Sequence, residues 1–189
     1  SVFDSNTKLR MISNFGAGFD NINIDLATKN KVLVTNTPSP VTEPTAELTI
    51  GITLALLRRI CELDSKIKSK ANLQWGVMEN LGHSLNGKKI GIIGLGKIGL
   101  SVARKFQSFG TKVYYFKRNK LSIDEEMKLG IEYKRFEEII EVSDVITLHT
   151  PYKEDTHHLI NNTVFKKMKE SAYIINTARG KVINESHLV

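Results

Sequence analysis

Lys89-Ile90-Gly91-Ile92-Ile93-Gly94-Leu95-Gly96-Lys97-Ile98-Gly99 decides how the chain is read. A short β-branched run leads directly into G-x-G-x-x-G, and a segment with Ile98, Val102, Ala103 and Phe106 on one helical face follows. Each glycine has a physical reason in a strand–turn–helix. Gly94 permits the tight turn, Gly96 lets the backbone approach an anion, and Gly99 lets the helix pack close to the strand. The unpaired N–H groups at the start of the helix then face a pyrophosphate. A glycine-rich corner alone reads much the same. The strand before it, the helix after it and a second strand at residues 113–116 turn the motif into a dinucleotide-binding expectation.

The composition bounds what surrounds this motif. At 189 residues the chain has room for one full domain and part of another, and 41% hydrophobic residues suffice for a core. It opens at Ser1 without a methionine and stops at Val189 in what reads as a starting helix, so it is read as a fragment of a longer protein. A single cysteine, Cys61, rules out an internal disulfide framework and Cys/His metal spacing, so no metal is expected and a reducing, cytoplasmic location is. The most apolar run, residues 48–57, is too short to span a bilayer and is flanked by Glu47 and Arg58. The net charge of +7 comes from scattered lysines, without an arginine-rich arm or aromatic RNA-binding motif. It is read as a solvated basic surface suited to an anionic cofactor, and neither nucleic acid nor membrane is expected as a partner.

Strands and helices alternate along the chain. Strands are expected at residues 9–13 and 32–36 around a turn at 14–20 and a short helix at 24–29. Pro38 and Pro40 then make a linker. Residues 43–68 read as one helix, apolar almost all round in its first half, and residues 71–87 as an irregular segment anchored by Trp75. After the glycine motif come a helix at 97–109 stopped by Gly110, the strand at 113–116 and a helix opened by the capping box Ser122–Glu125 and ended by Gly130. A strand at 131–134, a helix at 136–142, a strand at 145–149, a helix at 162–169 and a strand at 173–176 complete the series. The pattern predicts an α/β fold with a doubly wound parallel sheet covered on both faces.

Taken together, these residues resemble the D-isomer-specific 2-hydroxyacid dehydrogenases, the family of glyoxylate/hydroxypyruvate reductases and of D-lactate, phosphoglycerate and formate dehydrogenases. The resemblance rests on Gly16-Ala17-Gly18 with Asp20, Thr45-Ala46-Glu47, and Gly94-Leu95-Gly96-Lys97-Ile98-Gly99. It continues through Ser143-Asp144-Val145, His149-Thr150-Pro151, Thr156 and Asn176-Thr177-Ala178-Arg179-Gly180. The motifs run in the family's order over nearly the whole chain. The resemblance implies residues 1–37 as the end of a flavodoxin-like substrate domain and residues 38–189 as an incomplete Rossmann-like dinucleotide-binding domain. It also implies a homodimer through the helix at 43–68.

The resemblance carries specific roles. Arg179 matches the catalytic arginine, whose guanidinium forks onto the substrate carboxylate and carbonyl. Gly16 and Ala17 match backbone donors to the substrate carboxylate, although on the residues alone Gly16-Ala17-Gly18 reads equally as a simple turn. Gly94, Gly96, Lys97, Ile98, Gly99, Thr150, Pro151, Thr156, Thr177 and Ala178 match cofactor-binding positions, and Asn176 is expected to hold its turn. The family's proton-donating histidine and its supporting glutamate lie downstream of the arginine, beyond Val189. His83, His149, His157, His158 and His187 are each rejected as that acid.

One departure bears on the cofactor. The second strand ends Phe116-Lys117-Arg118-Asn119-Lys120, without the Asp or Glu that usually binds the ribose hydroxyls about 20 residues after the glycines. Lys117 and Arg118 suit a 2′-phosphate, so NADP(H) is expected in preference to NAD(H). The expected activity is hydride transfer between this cofactor and a small 2-keto or D-2-hydroxy acid such as glyoxylate or hydroxypyruvate. The alternative is a nucleotide-sensing corepressor of the same fold, without metabolic turnover.

Overall fold

The computed structural model describes Phe3 and residues 8–69 and 76–188. The first unit is small. Strand β1 (Met11–Asn14) and strand β2 (Leu33–Asn36) pair in parallel, joined through helix α1 (Ile24–Lys29). Asn23 caps α1 by accepting from the Leu26 amide at 2.9 Å, and Ala27 is its buried contact.

The larger unit is a five-stranded parallel sheet. Its strands are β3 (Lys89–Ile93), β4 (Lys112–Phe116), β5 (Glu132–Tyr133), β6 (Val145–Leu148) and β7 (Tyr173–Asn176), in the spatial order β5-β4-β3-β6-β7. The chain winds outward from β3 to β5, then returns to the other side of β3 for β6 and β7. The order therefore reverses between β3 and β6, where ligands bind in open α/β sheets. Burial explains the run of Ile90, Ile92 and Ile93 in β3 and of Val145, Ile146 and Leu148 in β6: all are inaccessible, as central strands covered on both faces require. Helix α4 (Lys97–Gln107) buries Val102, Ala103 and Phe106, and Gly110 follows at φ +71° as the expected stop. Helix α5 (Ile123–Leu129) has its capping box, with Gly130 at φ +63° at its end. Helix α6 (Phe136–Val142) packs Ile139 and Ile140 under the sheet.

Three expectations are corrected. Residues 43–68 do not form one helix. Helix α2 (Thr42–Leu57) ends at Arg58, and α3 (Ile60–Lys68) begins after Arg59, which lies in the left-handed region at φ 56°. The Leu57 carbonyl would bond the Cys61 amide in a continuous helix. Instead it accepts from His83 N at 2.8 Å, and a Cβ on Gly82 would stand 2.5 Å from it. The returning backbone at 82–83 thus takes the bond that would continue the helix. Helix α7 (Asn162–Phe165) is half the expected length, and the chain at Glu185–His187 makes a 3-10 turn rather than a starting helix. Trp75, expected as an anchor, lies outside the described residues.

Helix α2 packs against α4 and β7 through Ala46, Thr49, Ile50, Thr53 and Leu57, while Leu48, Ile52 and Leu56 stay exposed on its other face. Glu43 fastens this packing by accepting from Ser101 Oγ at 2.8 Å and Lys105 Nζ at 2.7 Å. Among the described residues no helix is long and apolar enough to cross a membrane.

Candidate active site

The carboxyl ends of β3 and β6 are pressed together. Gly94 turns at φ +98°, and a Cβ there would meet the His149 carbonyl at 2.7 Å. Only glycine combines that backbone with that approach. Gly99 sits against the same turn, since its Cβ would fall 2.3 Å from Gly94 O. The first helical bond of α4 runs from Leu100 N to Gly96 O, leaving the amides of Lys97, Ile98 and Gly99 ahead of it at the positive end of the helix. A Cβ on Gly96 would meet nothing within 4 Å, so its backbone faces open space.

That space is a cavity of about 620 Å³, lined by Gly94, Leu95 and Gly96 on one side and by Phe116, Lys117, Arg118 and Asn119 at the end of β4. Phe136, the 149–151 segment, Lys153, Asp155, Thr156 and Leu159 close it. Thr150 Oγ1 is buried without a hydrogen-bond partner in this wall. An orphaned buried hydroxyl costs about 1–3 kcal/mol, and a ligand atom in the cavity relieves that cost. Open backbone at Gly96, donors at the α4 start and an unsatisfied hydroxyl together fit a dinucleotide.

A second cavity, about 430 Å³, adjoins it and shares His149, Thr150, Pro151 and Lys153. It lies between the two units. Ala17, Gly18, Phe19 and Asp20 line it from the loop after β1, and Thr177, Ala178 and Arg179 from the end of β7. Arg179 reaches across: its Nη2 donates to Asp20 Oδ1 at 2.9 Å, and its Nε lies 3.2 and 3.3 Å from the two carboxylate oxygens. Its Nη1 donates to Ala178 O at 2.9 Å. The Arg179 guanidinium holds the Asp20 carboxyl below the usual carboxylate range. Asn176 forms the turn that presents the arginine, donating to Arg179 O at 2.8 Å and accepting from Ala178 N at 3.0 Å.

Most residues expected from sequence meet here. Gly94, Gly96, Lys117, Arg118, Thr150, Pro151 and Thr156 border the larger cavity, and Ala17, Ile98, Thr177, Ala178 and Arg179 the smaller. The Gly16 amide bonds Asn14 O at 3.0 Å, and Gly16 lines neither cavity. Lys97 and Gly99 also line neither cavity and stand at the start of α4. The Thr156 hydroxyl is spent within its own loop, donating to Pro151 O and accepting from Lys153 N at 2.7 Å. Arg118 is not a free cation, because its guanidinium pairs with Asp155 at the cavity rim.

Sequence reasoning gave no role to three residues at the site. Asp20 stands in a motif that by itself assigns it no role. Asp155 lies 37 positions from the arginine it engages, with no local signal. His149 borders both cavities, with Nε2 2.8 Å from Thr147 Oγ1, and burial pushes its pKa down to about 4. An imidazole with so low a pKa is neutral, and so a poor proton donor, near neutrality.

Residues 50–189 match the sequence profile described as D-isomer specific 2-hydroxyacid dehydrogenase, NAD binding domain. The chain belongs to the D-isomer specific 2-hydroxyacid dehydrogenases. Among relatives within this family, glyoxylate reductases of Korarchaeum cryptofilum and Thermococcus litoralis are each 38% identical, over 99% and 100% of the chain and 56% and 58% of their own length. The D-lactate dehydrogenase of Aquifex aeolicus, solved with NAD and lactic acid, superposes with a TM-score of 0.86 at 36% identity, over 96% of this chain and 53% of that one. A glyoxylate reductase from Paecilomyes thermophila gives the same TM-score and identity, over 96% and 54%. The chain thus spans little more than half the length of these 2-hydroxyacid dehydrogenases, and its parallel sheet with flanking helices is their Rossmann-like fold.

Proposed function

We propose that the full-length protein carrying this chain reduces a small 2-keto acid, such as glyoxylate or hydroxypyruvate, to the D-2-hydroxy acid, using NADP(H) in preference to NAD(H). The observation that carries the reading is the position of Arg179, which reaches over the inter-unit cavity that adjoins the one lined by Gly94 and Gly96. The nicotinamide nucleotide supplies the hydride when bound.

The chain's own residues do the rest of what is assigned here. The amides at the start of α4 and the bare backbone at Gly96 hold the pyrophosphate. Thr150 Oγ1 hydrogen-bonds the nucleotide, and Lys117 and Arg118 face its 2′-phosphate. Arg179 binds the substrate carboxylate and draws charge onto the carbonyl oxygen, a contact that strengthens as negative charge develops there. Ala17 N–H, without a partner among the described residues, donates to the carboxylate. The proton comes from a histidine paired with a glutamate outside this chain, as the family resemblance implies.

The proposal includes residues 1–37 as part of a substrate domain and residues 38–189 as the dinucleotide-binding domain. It also includes a cytoplasmic location and a homodimer joined across the exposed Leu48, Ile52 and Leu56 face of α2. The test is a spectrophotometric assay of the full-length protein with NADPH and NADH against a panel of short 2-keto acids. Turnover of glyoxylate or hydroxypyruvate is expected. Nucleotide binding with no turnover of any of them overturns the enzyme reading in favour of a corepressor.

A further inference from the structure

Asp20 and Arg179 belong to different units of the chain, 159 positions apart, yet share three contacts of 2.9–3.3 Å. A guanidinium carries one N–H on Nε and two on each terminal nitrogen. Asp20 takes the Nε–Nη2 edge, and Ala178 O takes one proton of Nη1 at 2.9 Å. One N–H on Nη1 and one on Nη2 remain without a protein partner among the described residues. The approach is tight by design of the backbone: a Cβ on Gly18 would stand 1.8 Å from Arg179 Nη2. The ion pair is also half-exposed, with side-chain accessibilities of 43% and 35%, so as a surface bridge it contributes little to stability. Its consequence is geometric.

We propose that Asp20 is a positioning residue for Arg179: it occupies the inner edge of the guanidinium and so aims the remaining two donors at a substrate carboxylate and its neighbouring carbonyl. Because the two partners come from opposite walls of the cavity, the aim is correct only when the units stand as they do here. The proposal rests on the reading of Arg179 given above. Without Asp20 the arginine still attracts a carboxylate as a charge but loses its fixed direction. The loss therefore falls on kcat more than on KM, since a misplaced donor forfeits transition-state contact first.

The experiment is a double-mutant cycle in the full-length protein with glyoxylate or hydroxypyruvate as substrate, alongside fluorescence titration of NADPH. Asp20→Ala is expected to lower kcat at least tenfold, with KM within threefold and NADPH affinity within twofold. Asp20→Asn keeps one acceptor and is expected to fall between the two, and it serves as the readout if the alanine variant folds poorly. In an Arg179→Ala background, Asp20→Ala should change kcat/KM by less than twofold, because its effect passes through the arginine. Additive losses in the cycle overturn the proposal and leave Asp20 a general structural residue. A gain in kcat/KM for Asp20→Ala also overturns it, since Asp20 would then compete with substrate. If Arg179→Ala itself is harmless, the reading of Arg179 fails instead.

Discussion

Thr49 Oγ1 lies 2.9 Å from Thr177 Oγ1, tying the buried middle of α2 to the loop that presents Arg179. Thr49 already donates its only hydroxyl proton to Thr45 O at 2.9 Å, so Thr177 is the donor in this pair. Thr49→Val keeps the shape and removes the acceptor, leaving the Thr177 hydroxyl without its partner. A loss of about 1–2 kcal/mol is expected, read as a lower urea midpoint with an unchanged slope. Adding Thr177→Val should recover part of it. An unchanged midpoint for Thr49→Val would show that water satisfies Thr177 equally well.

Arg179→Ala in the full-length protein is expected to lower turnover of 2-keto acids at least a hundredfold while leaving NADPH affinity nearly intact. The arginine borders the smaller, inter-unit cavity and not the wall at Lys117 and Arg118. Losing a charge-assisted contact at a developing oxyanion costs about 3–4 kcal/mol. Arg179→Lys should also be poor, because one ammonium cannot keep both the Asp20 contact and a two-pronged grip on substrate. Steady-state kinetics and nucleotide titration check this together. Near-normal kcat/KM in the alanine variant would demote Arg179 to a link between the two units.

The parts of this architecture that sequence reveals are those with local causes. The strand, glycine turn and helix at 89–107 follow from neighbouring residues, as do the Ser122–Glu125 capping box and the stops at Gly110 and Gly130. The break at Arg59 has no such cause. It comes from the backbone at 82–83 returning to take the Leu57 carbonyl, a tertiary contact that propensity cannot register. The cavity walls divide the same way. Arg179 and the glycines stand in short motifs, whereas Asp20 and Asp155 become legible only once folding brings them onto arginines 159 and 37 positions away. Gly16 is a motif position whose amide is engaged in a local turn to Asn14, a bond that the motif does not announce.

Stability should fall on acidification above the carboxylate range because of His149. Its folded pKa, about 4, lies below the ordinary value of 6.5, so the unfolded chain binds the proton more readily. The neutral-histidine contribution is complete above pH 6.5 and is lost progressively as pH falls toward 4. The full shift corresponds to on the order of 3 kcal/mol. Asp20 and Asp144, whose pKa values are lowered, lose their contribution only as pH falls below about 4 and so act in a separate window. His149→Gln is expected to flatten the dependence of the urea midpoint between pH 6.5 and 4.5. If the wild-type midpoint is already flat there, the imidazole is more hydrated than its place between the two cavities suggests.

Under the proposed function, cofactor preference turns on the rim of the larger cavity, where Lys117 and Arg118 stand with Asp155 against the arginine. The 2′-phosphate of NADPH carries close to two negative charges, and each charge-assisted hydrogen bond to it is worth roughly 1.5–3 kcal/mol. Screening and exposure reduce two such contacts to on the order of a hundredfold preference over NADH. Asp155 opposes part of this by engaging Arg118, so Asp155→Asn should strengthen NADPH binding severalfold and leave NADH nearly unchanged. Lys117→Asp with Arg118→Ala should reverse the preference, since a carboxylate at the end of β4 binds ribose hydroxyls and repels the phosphate. Both nucleotides are titrated against the three proteins at two ionic strengths, with the NADPH advantage shrinking as salt rises. Equal affinity for the two nucleotides in the unsubstituted protein, or a preference for NADH, would show that Lys117 and Arg118 serve the surface and not the phosphate.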